Sequence, residues 1–339
     1  MTLESLIKKR IREHGPINVA DYMAMCLTHT EYGYYMRRDP LGVSGDFTTA
    51  PEISQIFGEL LGLWLGAQWQ KQGKPEAALV EFGPGRGTLM ADILRATKKL
   101  AGFHEAISVH LIEASPVLQQ RQWKMLAGKH PRISWQDDLK NLPDLPLFFI
   151  ANEFFDALPV QQFIGNEERM VALNDDGILA FQPSTINHQP ITEKSPASLD
   201  VMRKLATQIA VQGGAGIIVD YGYAGGGEGD SLQAVKQHSY HDVLKTPGEA
   251  DITAHVDFSA LADAARASGA TIFGALPQGK FLLQIGASQR LMNLCASANE
   301  TQKKELMSGF ERLISHEQMG ELFKVLAVLP QDAERPEGF

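Results

Sequence analysis

Ala78-Leu79-Val80-Glu81-Phe82-Gly83-Pro84-Gly85-Arg86-Gly87-Thr88 reads as a strand, a glycine-rich turn and the start of a helix. Glycine reaches backbone angles closed to other residues and lets a ligand approach the main chain. The spacing is G-x-G-x-G, not the G-x-G-x-x-G fingerprint of dinucleotide folds. Glu81 at the strand end sharpens the distinction. A carboxylate there opposes an anionic pyrophosphate and attracts a cationic ligand end.

Working outward, Leu111-Ile112-Glu113 closes the next apolar run, near the roughly 20-residue separation expected of an acid that accepts bonds from ribose hydroxyls. Either acid alone is equally well a solvated strand end. Both, in this order around a glycine turn, point to S-adenosyl-L-methionine, whose amino-acid end carries an ammonium and a sulfonium. Gly83, Gly85 and Gly87 would then form the loop, and Glu113 would hold the ribose. The following run ends Ser134-Trp135-Gln136-Asp137-Asp138. Asp137 or Asp138 is a candidate for the adenine amine, and a surface turn explains the pair equally well.

Short apolar runs alternate with helical periodicity from residue 77 onward. Strands are expected at Ala78–Phe82, Ser108–Ile112, Arg132–Trp135, Leu147–Ala151, Gly216–Asp220 and Thr271–Phe273, with a last return at Phe323–Leu329. Helices are expected at Thr88–Leu100, Ser115–Ala127 and Val256–Ala267. This alternation predicts an α/β, doubly wound, Rossmann-like parallel sheet. Residues 1–72 read as an N-terminal helical region, including an apolar stripe over Ile53–Trp69 with glycines at 58, 62 and 66. Residues 73–335 then form the core. Two stretches interrupt it: 158–214, with a β-hairpin around Asn174-Asp175-Asp176-Gly177, and the helical run 278–322. Both are candidate caps over a substrate.

With 339 residues, 44% of them hydrophobic and 21% charged, the chain can bury a large core and is not compositionally disordered. Its formal net charge of −9 provides no general attraction to phosphate backbones, so no nucleic-acid partner is expected. The two cysteines, Cys26 and Cys295, cannot form a four-thiolate zinc site and do not suggest a disulfide framework. No convincing metal spacing exists among the histidines, so no metal is expected. No run reaches the roughly 18–20 apolar residues of a membrane span, and no secretory leader is evident. A cytoplasmic location follows as the default expectation.

The fourth run ends Ile150-Ala151-Asn152-Glu153-Phe154-Phe155-Asp156-Ala157. In a doubly wound sheet the carboxyl ends of the strands form the ligand crevice. Asn152, Glu153 and Asp156 interrupt an apolar stretch, so each needs a partner or a ligand. Carboxylates at this point would orient a guanidinium or ammonium nucleophile and take up the proton lost on methylation. Alternatively, Asn152 and Asp156 cap a following helix. His255, in Asp251-Ile252-Thr253-Ala254-His255-Val256-Asp257, is a further candidate proton acceptor, whereas Thr253 or Asp257 there can serve as a cap.

Taken together, Gly45-Asp46-Phe47-Thr48-Thr49-Ala50-Pro51-Glu52-Ile53-Ser54-Gln55, Glu81–Thr88, Asn152–Pro159, Val219-Asp220-Tyr221-Gly222, Asp251–Phe258 and Gln318-Met319-Gly320 resemble the MidA-like family. That family includes the mitochondrial methyltransferase required for assembly of respiratory complex I. The resemblance implies a seven-stranded methyltransferase core and methylation of a protein, on arginine in the mitochondrial relatives. It further implies cofactor binding by Gly83, Gly85 and Glu113, closure by Asp46 and Thr48, and a place for Glu153 near the accepting nitrogen. A respiratory-complex subunit is the implied protein partner. Two other functions share the core: an assembly factor that acts by holding a partner, and a small-molecule methyltransferase. Neither oligomeric state nor acceptor identity follows from these residues.

Overall fold

The computed structural model describes residues 1–37, 48–183, 190–225, 227 and 229–339. Seven strands form the central sheet: β1 (Ala77–Phe82), β2 (Ile107–Ile112), β3 (Ile133–Gln136), β4 (Leu147–Asn152), β5 (Gly214–Tyr223), β6 (Thr271–Pro277) and β7 (Phe323–Leu329). Their order across the sheet is β3-β2-β1-β4-β5-β7-β6. Strands β1 to β5 pair in parallel, and β7 is antiparallel to both β5 and β6. A short strand, Val256–Asp257, adds in parallel to the end of β5. The expected doubly wound seven-stranded sheet is therefore present, with one reversed strand. Every residue of β1 and β4 is buried, which is why both read as unbroken apolar runs rather than alternating ones.

Helices cover both faces. On one lie α3 (Gln55–Lys71), α4 (Thr88–Thr97) and α5 (Pro116–Leu126); on the other lie α6 (Pro196–Gln212) and α7 (Phe258–Ala267). The glycine stripe on α3 explains how closely α4 packs. A Cβ at Gly62 would stand 2.9 Å from the Ile93 Cα, and one at Gly58 would stand 2.8 Å from the Asp92 Cβ. This close approach fixes α4, and with it the glycine loop at the α4 N-terminus. The expected continuous helix from Ile53 is broken at Ser54, whose extended backbone (φ −156°) separates Ala50–Ile53 from α3.

A separate apolar cluster lies over the carboxyl ends of the strands. It joins the N-terminal helices α1 (Leu3–His14) and α2 (Val19–Thr28) to Val160, Val171, Leu179, Ala234 and Ile252. The strand pairs Met170–Leu173 with Leu179–Gln182 and Gln233–Lys236 with Ser239–His241 belong to this roof. Its membership differs from the sequence expectation in four ways. Helix α3 packs into the core rather than with α1 and α2, and α6 lies on the sheet. Residues 233–253, absent from both expected insertions, line the cavity beneath the roof. The helices of 278–322 pack beside α3, with Arg290 bonded to Glu59, and reach the cavity only through Leu322. Among the described residues, no helix is long and apolar enough to cross a membrane.

Candidate active site

A cavity of about 600 Å³ opens between the strand ends and the roof, within the size range of small-molecule sites. Gly83, Pro84, Gly85, Arg86 and Thr88 form part of its floor. Gly83 (φ 60°), Gly85 (φ 54°) and Gly87 (φ 83°) all adopt left-handed backbone, where a side chain would be strained. Gly87 is outside the lining. It faces helix α5, where a Cβ would meet the Gln122 main chain at 3.4 Å.

Glu113 lies at the end of β2 and lines the cavity. Its carboxylate accepts the Ser115 N–H at 2.8 Å and the Gln122 Nε2–H at 2.9 Å. Burial pushes its carboxyl up to about 7, against the pull of these donors and the Ala114 N–H. Gln122 is fully buried, and it also donates to the Gly85 carbonyl at 2.8 Å and accepts from the Trp135 Nε1–H at 3.0 Å. One side chain thus ties the glycine loop to Glu113. Its mid-helix position carries no signal in sequence.

Glu81 and Asn152 stand on the adjacent strands β1 and β4, both buried in the wall. Among the described residues, Glu81 Oε2 and Asn152 Oδ1 have no hydrogen-bond partner. Burial pushes the Glu81 carboxyl well above its ordinary range, partly offset by the Met90 N–H, and the Glu113 charge adds to the rise. Unpaired buried acceptors are costly, so this wall favours a ligand bearing cationic N–H donors. The amino-acid end of S-adenosyl-L-methionine has that chemistry, and a pyrophosphate does not.

The segment after Thr48 covers the loop from the other side. Glu52 accepts the Thr88 hydroxyl and pairs with Arg86 at 3.6 Å, while Ala50 N–H points to Glu153 Oε1 at 3.4 Å. Thr49, Pro51 and Glu52 line the cavity, whereas Thr48 lies just outside the lining. Asp46, the other residue expected to close the site, lies outside the described residues. Asp137 and Asp138 both border the cavity. Asp137 accepts from Gln119 at 3.1 Å; Asp138 caps a 3-10 turn through Lys140 N–H at 2.8 Å and pairs with Lys140.

Acids gather where β4 and β5 end. Glu153 holds a left-handed backbone (φ 49°), unusual for a residue with a side chain and a mark of a constrained turn. Asp220, fully buried at the end of β5, holds that turn in place. Its Oδ2 accepts the N–H groups of Phe154, Phe155 and Asp156 at 3.2, 3.0 and 3.2 Å, and its Oδ1 accepts from Tyr221 at 2.9 Å. The alternative role of Asp156 as a helix cap is not seen: its side chain accepts the Tyr221 phenol at 2.5 Å, and its Oδ1 has no partner among the described residues. Burial, followed by the Asp156 charge, pushes Glu153 up to about 8, and burial pushes Asp156 up to about 6. Asp220 is driven well up by burial and by the charges of Asp156 and Glu153.

Asp251 completes the cluster from the roof, accepting the Tyr35 phenol at 2.7 Å. His255 also lines the cavity, its ring edge-on to Tyr221, and burial lowers its affinity for a proton. Asp257, not Thr253, caps α7. Asp220, Asp251, Tyr35, Tyr221 and Gln122 are all absent from the sequence-derived candidates. Of these, Asp220, Tyr221 and Asp251 stand inside the quoted family stretches.

Residues 60–276 match a family described as S-adenosyl-L-methionine-dependent methyltransferases. The chain belongs to that family. Curated relatives named "Protein arginine methyltransferase NDUFAF7, mitochondrial" are 38% identical in Danio rerio, over 96% of this chain and 88% of that protein. The Homo sapiens protein of the same name is 38% identical, over 95% of this chain and 82% of its own length. A crystal structure of a methyl transferase from Burkholderia thailandensis, bound to S-adenosyl-homocysteine, superposes with a TM-score of 0.85 at 28% identity. It covers 99% of this chain and 94% of that one. Family membership makes S-adenosyl-L-methionine the cofactor and this chain a methyltransferase. One expectation is overturned: the relatives are named as mitochondrial, which contradicts the cytoplasmic location inferred from composition.

Proposed function

We propose that this methyltransferase acts on a guanidinium nitrogen of arginine in a protein, with Glu153 and Asp156 as the groups that hold the acceptor. The acid cluster carries this reading. Among the described residues, half-buried Glu153 stands beside buried Asp156 and Asp220 with no lysine or arginine paired to them. Such a cluster resists full ionisation until a cation enters. A guanidinium brings a charge and five N–H donors in one plane, suited to carboxylates that approach from different sides. The names of the relatives support the same acceptor.

S-adenosyl-L-methionine, when bound, supplies an electrophilic methyl group on sulfur. In this reading Glu81 Oε2 and the Asn152 side-chain Oδ1 would hold its ammonium, and the main chain at Gly83 and Gly85 would accommodate its amino-acid end, with Gly87 shaping the loop behind. Glu113 takes the ribose hydroxyls, and Asp137 or Asp138 the adenine amine. Thr49, Pro51 and Glu52 exclude water from above. Glu153 orients the accepting nitrogen and removes its proton, while the Asp156 carboxylate, held by Tyr221, balances the positive charge that remains on the guanidinium. His255, neutral in its buried setting, is the second candidate for the proton. A subunit of a respiratory complex is the proposed acceptor protein, on the resemblance and on the mitochondrial relatives.

The test follows transfer of a labelled methyl group into proteins from cells lacking this chain, with mass spectrometry for methylarginine. The wild-type chain should label arginine in one or a few proteins. Glu153→Gln should keep S-adenosyl-homocysteine binding and lose roughly 10²-fold or more in transfer. Label appearing only on small molecules, or undiminished transfer by the variant, would defeat the proposal.

A further inference from the structure

Four residues form an unbroken path between the cofactor side of the cavity and its acceptor side. Glu113 Oε1 accepts the Ser115 N–H at 2.8 Å. The Ser115 hydroxyl donates to the Tyr35 carbonyl at 2.6 Å, and the Tyr35 phenol donates to Asp251 Oδ1 at 2.7 Å. Glu113, Ser115 and Asp251 are deeply buried, so none of these bonds competes freely with water. They come from three places in the chain: the end of β2, the short helix Tyr34–Arg37, and the strand Asp251–Thr253 under the roof. Tyr35 alone spans the gap, using its main chain toward one carboxylate and its ring toward the other.

We propose that Tyr35 is a positioning residue that couples occupation of the cofactor site at Glu113 to the placement of Asp251 beside the acceptor. This rests on the reading of the cavity given above. A ligand that orders Glu113 through its ribose restricts Ser115, and Ser115 in turn fixes the main chain of Tyr34–Arg37. The phenol then holds Asp251 in one place. Binding that has already paid this ordering cost leaves less for the second ligand, which is positive coupling without a large movement. Cofactor and acceptor therefore each tighten the binding of the other.

Hydrogen exchange with S-adenosyl-homocysteine as the probe tests the coupling without any acceptor. In the wild-type chain the probe should raise protection of the Ile252 and Thr253 amides by about tenfold, within the usual range of coupling between sites. Tyr35→Phe should bind the probe within about threefold of wild type and keep the gain near Ala114 and Ser115. It should lose the gain at Ile252 and Thr253. Asp251→Asn, whose amide oxygen still accepts from the phenol, should retain that gain, which a merely structural role for the tyrosine would not predict. Failure of the wild-type chain to bind the probe would overturn the cofactor reading itself. Binding with the distal gain intact in Tyr35→Phe, or equally lost in Asp251→Asn, would overturn the Tyr35 assignment alone.

Discussion

Replacing Gln122 with methionine keeps the length and approximate volume of the side chain while removing its amide. Three bonds disappear: those to Glu113 Oε2, to the Gly85 carbonyl and from the Trp135 Nε1–H. The Gly85 and Trp135 groups lie at partly exposed residues and can recover water, so their loss costs little stability. Glu113 is different. Its buried carboxylate keeps the Ser115 and Ala114 N–H groups but loses its only side-chain donor among the described residues. A bond to a charged group contributes about 1.5–3 kcal/mol. If that ordering is needed for ribose binding, S-adenosyl-homocysteine should bind roughly 10- to 150-fold more weakly. The carboxyl, already pushed to about 7 by burial, should rise further without the Gln122 donor. The affinity deficit should consequently be larger at pH 7 than at pH 8.5, where the variant's carboxylate is ionised again. Titration calorimetry at both pH values measures this. A folded Gln122→Met protein with wild-type affinity at pH 7 would refute the claim that Gln122 organises the ribose site.

Asp220→Asn leaves one acceptor oxygen where the native side chain uses two, so at least one buried N–H among Phe154–Asp156 and Tyr221 faces an amide donor. A loss of about 2 kcal/mol in stability is expected. Transfer should fall by about 10²-fold because the turn at Glu153 is no longer held, with S-adenosyl-homocysteine affinity nearly unchanged. Melting curves, calorimetry and the methyl-transfer assay separate the three, and full activity in a destabilised variant would count against Asp220 as the support of Glu153. Stability of the ligand-free chain should also fall as pH rises from 6.5 to 8.5. Burial raises the folded values of Glu113 and Glu153 to about 7 and about 8, so up to those values each holds a proton when folded that it releases on unfolding, and the slope fades as pH passes them. The half-buried histidines His104, His110 and His255, shifted the other way, act below this window. Melting temperatures that rise or stay level from pH 6.5 to 8.5 would rule this out, and Glu153→Gln should flatten the slope.

Much of the core was legible because its signals are local. A strand buried on both faces must be an apolar run, and a turn with three left-handed positions calls for glycine there. Glu81, Glu113, Asn152, Glu153 and Asp156 were found because they end such runs, where a doubly wound sheet places its crevice. The last strand, Phe323–Leu329, was read with its observed bounds. Its antiparallel direction was not, since pairing direction depends on the path of the helices before it.

Sequence by itself therefore determined the sheet, the glycine loop and the acids at the strand ends, because each is set by the conformational preference or burial of neighbouring residues. It also determined the family, through the stretches that resemble it. Tertiary structure alone decided which partners make those acids usable. Gln122 reaches Gly85 and Glu113 from the next helix, Asp220 reaches the Glu153 turn from an adjacent strand, and Tyr35 meets Asp251 across most of the chain. Tertiary structure likewise showed that 233–253, and not the helices of 278–322, roof the cavity. Hydrogen bonds between residues so distant in sequence leave no periodicity behind, and only the folded chain brings their donors and acceptors within reach.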